Sequence, residues 1–248
     1  MQSVDGMVDD VVRSAARFTA AAAALSDTGL RAPSGLARWT RAHVLAHVAT
    51  SADAYVRLLR SASTDGRAPR RPADAAVPAQ AVEEGASLRA AELVGQLNDS
   101  LERFAHEART MSTEAWAGTV TALAGWRHPA WYTLRRCVRE LETHHLDLAV
   151  GYRTADWPPG YVTWALAETL AALKAQGFPL ARVEATDLGR TWDLADDGPT
   201  VASSGHVLLG WFSGRTLADG LTSDHPLRAL PVPPTWPQPP VPGWGRDY

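Results

Sequence analysis

Cysteine is nearly missing from this sequence: Cys137 stands alone, so no intrachain disulfide can form. Lysine is almost absent while alanine and arginine are abundant, which fits translation from a GC-rich genome and says nothing about chemistry. Long apolar runs are lacking too. The longest, such as Phe18 to Leu25, are alanine-rich and far short of the roughly 20 residues needed to cross a bilayer, so no membrane partner is expected. No cluster of basic residues extends beyond Arg67 to Arg71, and the formal charge is −3, leaving no electrostatic footprint for nucleic acid. No N-terminal stretch joins a basic end to an apolar run and a cleavage site, which argues against secretion and for a cytoplasmic location. No internal repeat is evident. What is present is ample core material: 46% of 248 residues are hydrophobic, enough for one large or two modest domains.

Hydrophobic spacing and punctuation divide the chain. Val4 to about Leu25 predicts a first helix, ended before Gly29 and Pro33 to Gly35. A second helix opens at Thr40, a suitable N-cap. It carries Val44, Val48, Tyr55, Val56 and Leu59 at amphipathic spacing. Arg67 to Pro78 reads as a connection, with Arg67 to Arg71 a solvated loop, and Val82 to about Met111 as a long third helix weakened near its start by Gly85. Trp116 to Pro129 leads into a fourth helix from about Ala130 to Val150, stopped by Gly151. Cys137, Leu141, His144 and Leu148 stripe one face of it.

The fold class expected is therefore mixed: a four-helix bundle over 1–155, a small α+β domain over 156–232 and a proline-rich tail over 233–248. In the second part, Tyr161 to Gln176 and His206 to Phe212 read as helices. Ala181 to Ala185, Thr191 to Leu194 and Pro199 to Ala202 read as short strands. From Pro231 the chain is too rich in proline for helix or central strand and should run extended over the surface or loose.

Two helices carry residues suited to metal chemistry. His43 and His47 lie four apart on one face of the second helix, with His47 at the edge of the inward stripe. Glu140 and His144 share a face of the fourth. If these helices are neighbours, two imidazoles and a carboxylate converge inside a bundle, where such folds build metal sites. Three ligands leave a fourth position open, the mark of a catalytic zinc, although nickel, cobalt or iron also suit nitrogen and oxygen donors. The plainer alternative is a hydrogen-bonded core histidine and a surface Glu–His pair. Asp147 reads either as an acceptor orienting a ligating imidazole or as surface. Cys137 reads as a buried filler rather than a nucleophile, since no histidine other than the presumed ligands stands ready to activate it.

At this point the sequence resembles the mycothiol-dependent maleylpyruvate isomerase family, whose N-terminal part is a DinB-like metal-binding four-helix bundle. The resemblance rests on Trp39-Thr40-Arg41-Ala42-His43-Val44-Leu45-Ala46-His47-Val48 and on Arg139-Glu140-Leu141-Glu142-Thr143-His144-His145-Leu146-Asp147-Leu148. A weaker third signature comprises Ser204-Gly205, then Leu208 to Arg215, then Asp219-Gly220-Leu221, and Pro233-Pro234-Thr235-Trp236 resembles the family's ending. The resemblance implies metal ligands at His47, Glu140 and His144, leaves His43 as support, and places a functionally important arginine at Arg215. It also implies mycothiol as the thiol cofactor. Val241 to Tyr248 extends beyond the family's usual end.

The function expected on these grounds is a cis–trans isomerase of a maleylpyruvate-like enedioate: a metal-activated thiolate adds to the conjugated double bond, the resulting single bond rotates, and the thiol is expelled. Arg215 would clamp a substrate carboxylate with its planar fork; the alternative is a surface arginine at a helix end. Two rival functions are a mycothiol S-transferase acting on an electrophilic metabolite and a non-catalytic metal-binding module. Exposed tail tryptophans such as Trp236 and Trp244 would favour docking. The partners expected are a small-molecule substrate and a thiol, and the protein is expected to be a monomer.

Overall fold

The computed structural model describes residues 2–63, 79–122, 125–225 and 230–237. The Arg67 to Pro78 connection with its basic stretch, and the tail from Val241 with Trp244, lie outside the described residues. The chain divides into two compact units, Met1–Tyr152 and a second beginning at Arg153.

Four long helices make the first unit: α1 (Val4–Ala23), α3 (Arg41–Ser63), α5 (Ala90–Thr110) and α7 (Tyr132–Asp147). α1 and α3 each pack against both α5 and α7. The two helices that carry the candidate ligands, α3 and α7, are thus neighbours. Each helix turns one apolar stripe inward: Val11 and Phe18 from α1, Val44, Leu45, Val48 and Leu59 from α3, Leu97 and Phe104 from α5, Leu134 and Leu141 from α7, all nearly inaccessible. Ser3 caps α1 by accepting the Gly6 N–H.

Several local expectations are corrected. The loop after α1 contains a short helix, α2 (Asp27–Arg31), capped by Ser26. The single third helix is two, α4 (Ala79–Ala86) and α5, parted at Arg89, whose backbone is extended (φ −72°, ψ 158°). Gly85 belongs to α4 and lies so close to α3 that a Cβ there would sit 2.8 Å from the Ala46 methyl. Between α5 and α7 stand a short helix, α6 (Thr113–Ala117), and an antiparallel hairpin of β1 (Thr119–Thr121) and β2 (Arg127–Pro129). α7 stops at Asp147 rather than near Val150. Ala149 is left-handed (φ 54°), and Arg41 donates from Nε to the Leu148 carbonyl (2.8 Å) and from Nη2 to that of Ala149 (3.0 Å), drawing off the last turn's acceptors.

In the second unit α8 (Pro159–Ala175) and α9 (Gly205–Phe212) pack on each other, and Leu166, Leu170, Leu208 and Phe212 form a core with Val183 and Val201 of a small sheet. The strands β3 (Arg182–Ala185), β4 (Arg190–Asp193) and β5 (Thr200–Ser203) fall within a residue of expectation, and a brief β6 (Thr222–Ser223) joins them in the order β4-β3-β5-β6, with β3 and β5 parallel. The fold is the mixed class expected, a helical bundle followed by a small α+β unit. Of the tail, 230–237 forms neither helix nor strand and bends at 235–237, and Trp236 is half-buried, its indole N–H donating to Thr169 Oγ1 at 2.9 Å. Among the described residues no helix is long and apolar enough to cross a membrane.

Candidate metal centre

α3 and α7 set the spacing of this site. His47 and Ser51 lie four apart on α3, and Glu140 and His144 four apart on α7, so each helix offers two adjacent turns to its neighbour. One ligand atom each from His47, Glu140 and His144 falls within 4.8 Å of the others. His47 Nε2 lies 2.7 Å, and His144 Nε2 3.5 Å, from the same Glu140 oxygen, Oε1. The two imidazoles meet edge to face, centroids 4.9 Å apart.

Neighbouring groups fix all three. Asp147, 2% exposed, accepts from His144 Nδ1 at 2.9 Å, which leaves Nε2 as the lone-pair nitrogen facing Glu140 in the neutral ring. The reading of Asp147 as surface is therefore excluded. Its position is set by the chain around it: the Gly35 N–H donates to the Asp147 carbonyl at 2.7 Å, and a Cβ at Gly35 would come within 3.4 Å of that backbone. Ser51 Oγ donates to Glu140 Oε1 at 2.9 Å. Trp39 packs beside His47, ring centroids 5.3 Å apart and planes tilted by 55°. Sequence reasoning missed Ser51 and Trp39. Ser51 had a signal, four residues after His47 on the same face, and Trp39 opens the motif that carries His47, although nothing in that motif assigns it a contact.

Electrostatics favour a positive charge among these groups. Burial works against ionising Glu140, but His144 and His47 outweigh it and hold the carboxyl well below the usual range. Burial likewise works against protonating His144, yet Glu140 and Asp147 push it up to about 9. A cluster that attracts a proton so strongly has the charge and donor chemistry for a divalent cation, and its two nitrogens and one oxygen match a three-ligand zinc set. The residues present fit such an ion.

The remaining candidates separate. His43 is outside the cluster: its Nδ1 accepts the Thr40 N–H at 3.2 Å, Thr40 Oγ1 lies 2.7 Å away, and its Nε2 faces Glu83 at 3.3 Å. Cys137 is buried, and burial pushes its thiol far above the range of a reactive thiolate, in keeping with a core filler. Glu142 points away to α1. This carboxylate, 1% exposed, accepts from Ser14, Arg17 and Tyr152, and Tyr152 stacks on His145 with centroids 3.8 Å apart. In the second unit Arg215 is half-buried after α9. It donates to the Ser213 carbonyl at 2.9 Å and lies 5.6 Å over the Trp236 ring.

Two solved structures share this fold: the mycothiol-dependent maleylpyruvate isomerase and a histidine-to-alanine mutant of it. Each aligns at a TM-score of 0.84 and 24% identity, over 95% of this chain and 98% of its own. No curated protein matches by sequence. The family model described as the mycothiol maleylpyruvate isomerase N-terminal domain matches residues 11–149. That span exceeds half of the chain and contains the bundle together with His47, Glu140 and His144; the chain belongs to the mycothiol maleylpyruvate isomerase N-terminal domain family.

Proposed function

We propose that this protein is a metal-dependent, mycothiol-dependent cis–trans isomerase of a maleylpyruvate-like enedioate, acting as a cytoplasmic monomer. The observation that carries the reading is the convergence of one ligand atom each from His47, Glu140 and His144 within 4.8 Å, in a chain of this family. These three residues would hold the metal, zinc first among the divalent ions. When bound, the metal supplies Lewis acidity to a thiol, and the thiol supplies the nucleophile that adds to and leaves the conjugated double bond.

The chain's own groups do the rest. Asp147 fixes the tautomer and orientation of His144, Ser51 holds the Glu140 oxygen, and Trp39 packs against the His47 ring. Arg215 is proposed to clamp a substrate carboxylate, a role supported by a guanidinium already steadied by Ser213 and Trp236. The domain limits 1–155, 156–232 and 233–248 belong to the same proposal.

The test is direct. The purified protein is analysed for bound metal and assayed on maleylpyruvate with and without mycothiol, and the product is weighed. Thiol-dependent turnover to a product of unchanged mass is expected. A product heavier by the thiol makes the protein an S-transferase. Metal without any thiol-dependent turnover makes it a binding module.

A further inference from the structure

Arg136 lies four residues before Glu140 on α7, on the same face and about 6 Å along the helix. Its guanidinium carbon sits 5.1 Å over the ring of Tyr55 and 5.0 Å over that of Trp126, two cation–π contacts that help to hold it in place. Tyr55 follows Ser51 by four residues on α3, so the Arg136–Tyr55 pair forms the next rung after Ser51–Glu140 along the α3–α7 seam. Trp126 and His128 come from the hairpin. His128 Nδ1 faces the Pro129 carbonyl at 2.7 Å and must donate to it, so Nε2 is the bare acceptor that meets Arg136 Nη1 at 3.4 Å. Among the described residues no carboxylate pairs with Arg136.

A half-buried guanidinium lying over two aromatic rings, with no acidic partner among the described residues, suits an external planar oxyanion, which its fork can meet with two parallel hydrogen bonds. We propose that Arg136, framed by Tyr55, Trp126 and His128, binds one carboxylate of a small unsaturated dicarboxylate whose reactive carbons lie toward Glu140. This deepens the proposed isomerase reading and rests on it for the choice of substrate; the binding of a simple dicarboxylate does not depend on turnover. A purely structural Arg136, a strut between the hairpin and α3, predicts a loss of stability on substitution and no effect on ligand affinity.

The experiment titrates fumarate into the metal-loaded full-length protein by calorimetry, for wild type, Arg136→Gln and Arg136→Lys, with metal content and thermal midpoint measured on each. Fumarate affinity should fall about 30-fold or more in Arg136→Gln and by a smaller factor in Arg136→Lys, which keeps the charge and loses the fork, while metal content holds. A folded, metal-loaded Arg136→Gln protein that binds fumarate as wild type does would overturn the assignment. If that variant does not fold, the wild type still decides: phenylglyoxal should label Arg136, as mapped by mass spectrometry, and fumarate should slow the labelling at least several-fold. Labelling at the same rate with and without fumarate also overturns it. Fumarate binding through Arg136 in a protein without isomerase activity would sink the isomerase reading and leave this subsite standing.

Discussion

At the scale of single residues, the candidate centre depends on groups that hold the ligands as much as on the ligands. Replacing His47, Glu140 or His144 by alanine should remove most bound metal with helix content largely kept, whereas His43→Ala should retain metal because His43 bonds to Thr40 and Glu83. Atomic absorption with circular dichroism checks both, and a triple alanine variant that still carries one equivalent would refute the ligand set. Asp147→Ala removes the acceptor that fixes His144 and should weaken metal affinity by about 10–100-fold. A competition titration against a chelator measures it. Arg215→Ala should lower kcat/KM by about 30-fold or more with metal content unchanged, the cost of losing a charged clamp of roughly 2–5 kcal/mol, and Arg215→Lys should recover only part. Near-normal kinetics in both variants would leave Arg215 a helix-end residue.

Among elements, the pairing of α3 with α7 decides whether the two histidine signatures form one site. The close seat of α4 on α3 is a separate constraint. A side chain at Gly85 must intrude on Ala46, so Gly85→Val should destabilise the protein by about 1–3 kcal/mol, read as a lowered urea midpoint. The existence of the four long helices was legible because each carries a wide apolar stripe at helical period. The break at Arg89 and the hairpin after α6 were not. Strands as short as Thr119–Thr121 and Arg127–Pro129 hold too few residues for alternation to register, and they exist through pairing with each other. The end of α7 was misplaced for a similar reason: Arg41, more than a hundred residues away in sequence, supplies the cap.

For the molecule as a whole, His128 makes stability depend on pH. Burial, outweighing the Pro129 carbonyl and aided by Arg136, lowers its pKa from 6.5 to about 4. The unfolded chain then binds more protons than the folded one between these values, so this contribution is complete above pH 6.5 and lost as pH falls toward 4, up to about 3 kcal/mol. Denaturation across that range should show a shallower acid loss in His128→Gln than in wild type, and parallel slopes would disprove the assignment. The helical bundle and the smaller α+β unit could be read from the amino-acid order, because helical periodicity assigns faces locally and a face needs no partner to be recognised, whereas His47, Glu140 and His144 were singled out as candidate ligands by their motifs' resemblance to the family. The packing of the chain in three dimensions was needed to show that α3 and α7 are neighbours, that Asp147 is buried against His144, and that Ser51 and Trp39 contact Glu140 and His47. Those facts depend on which faces meet, and a hydrogen bond or stacked ring between residues far apart in the chain leaves no period in the sequence to read.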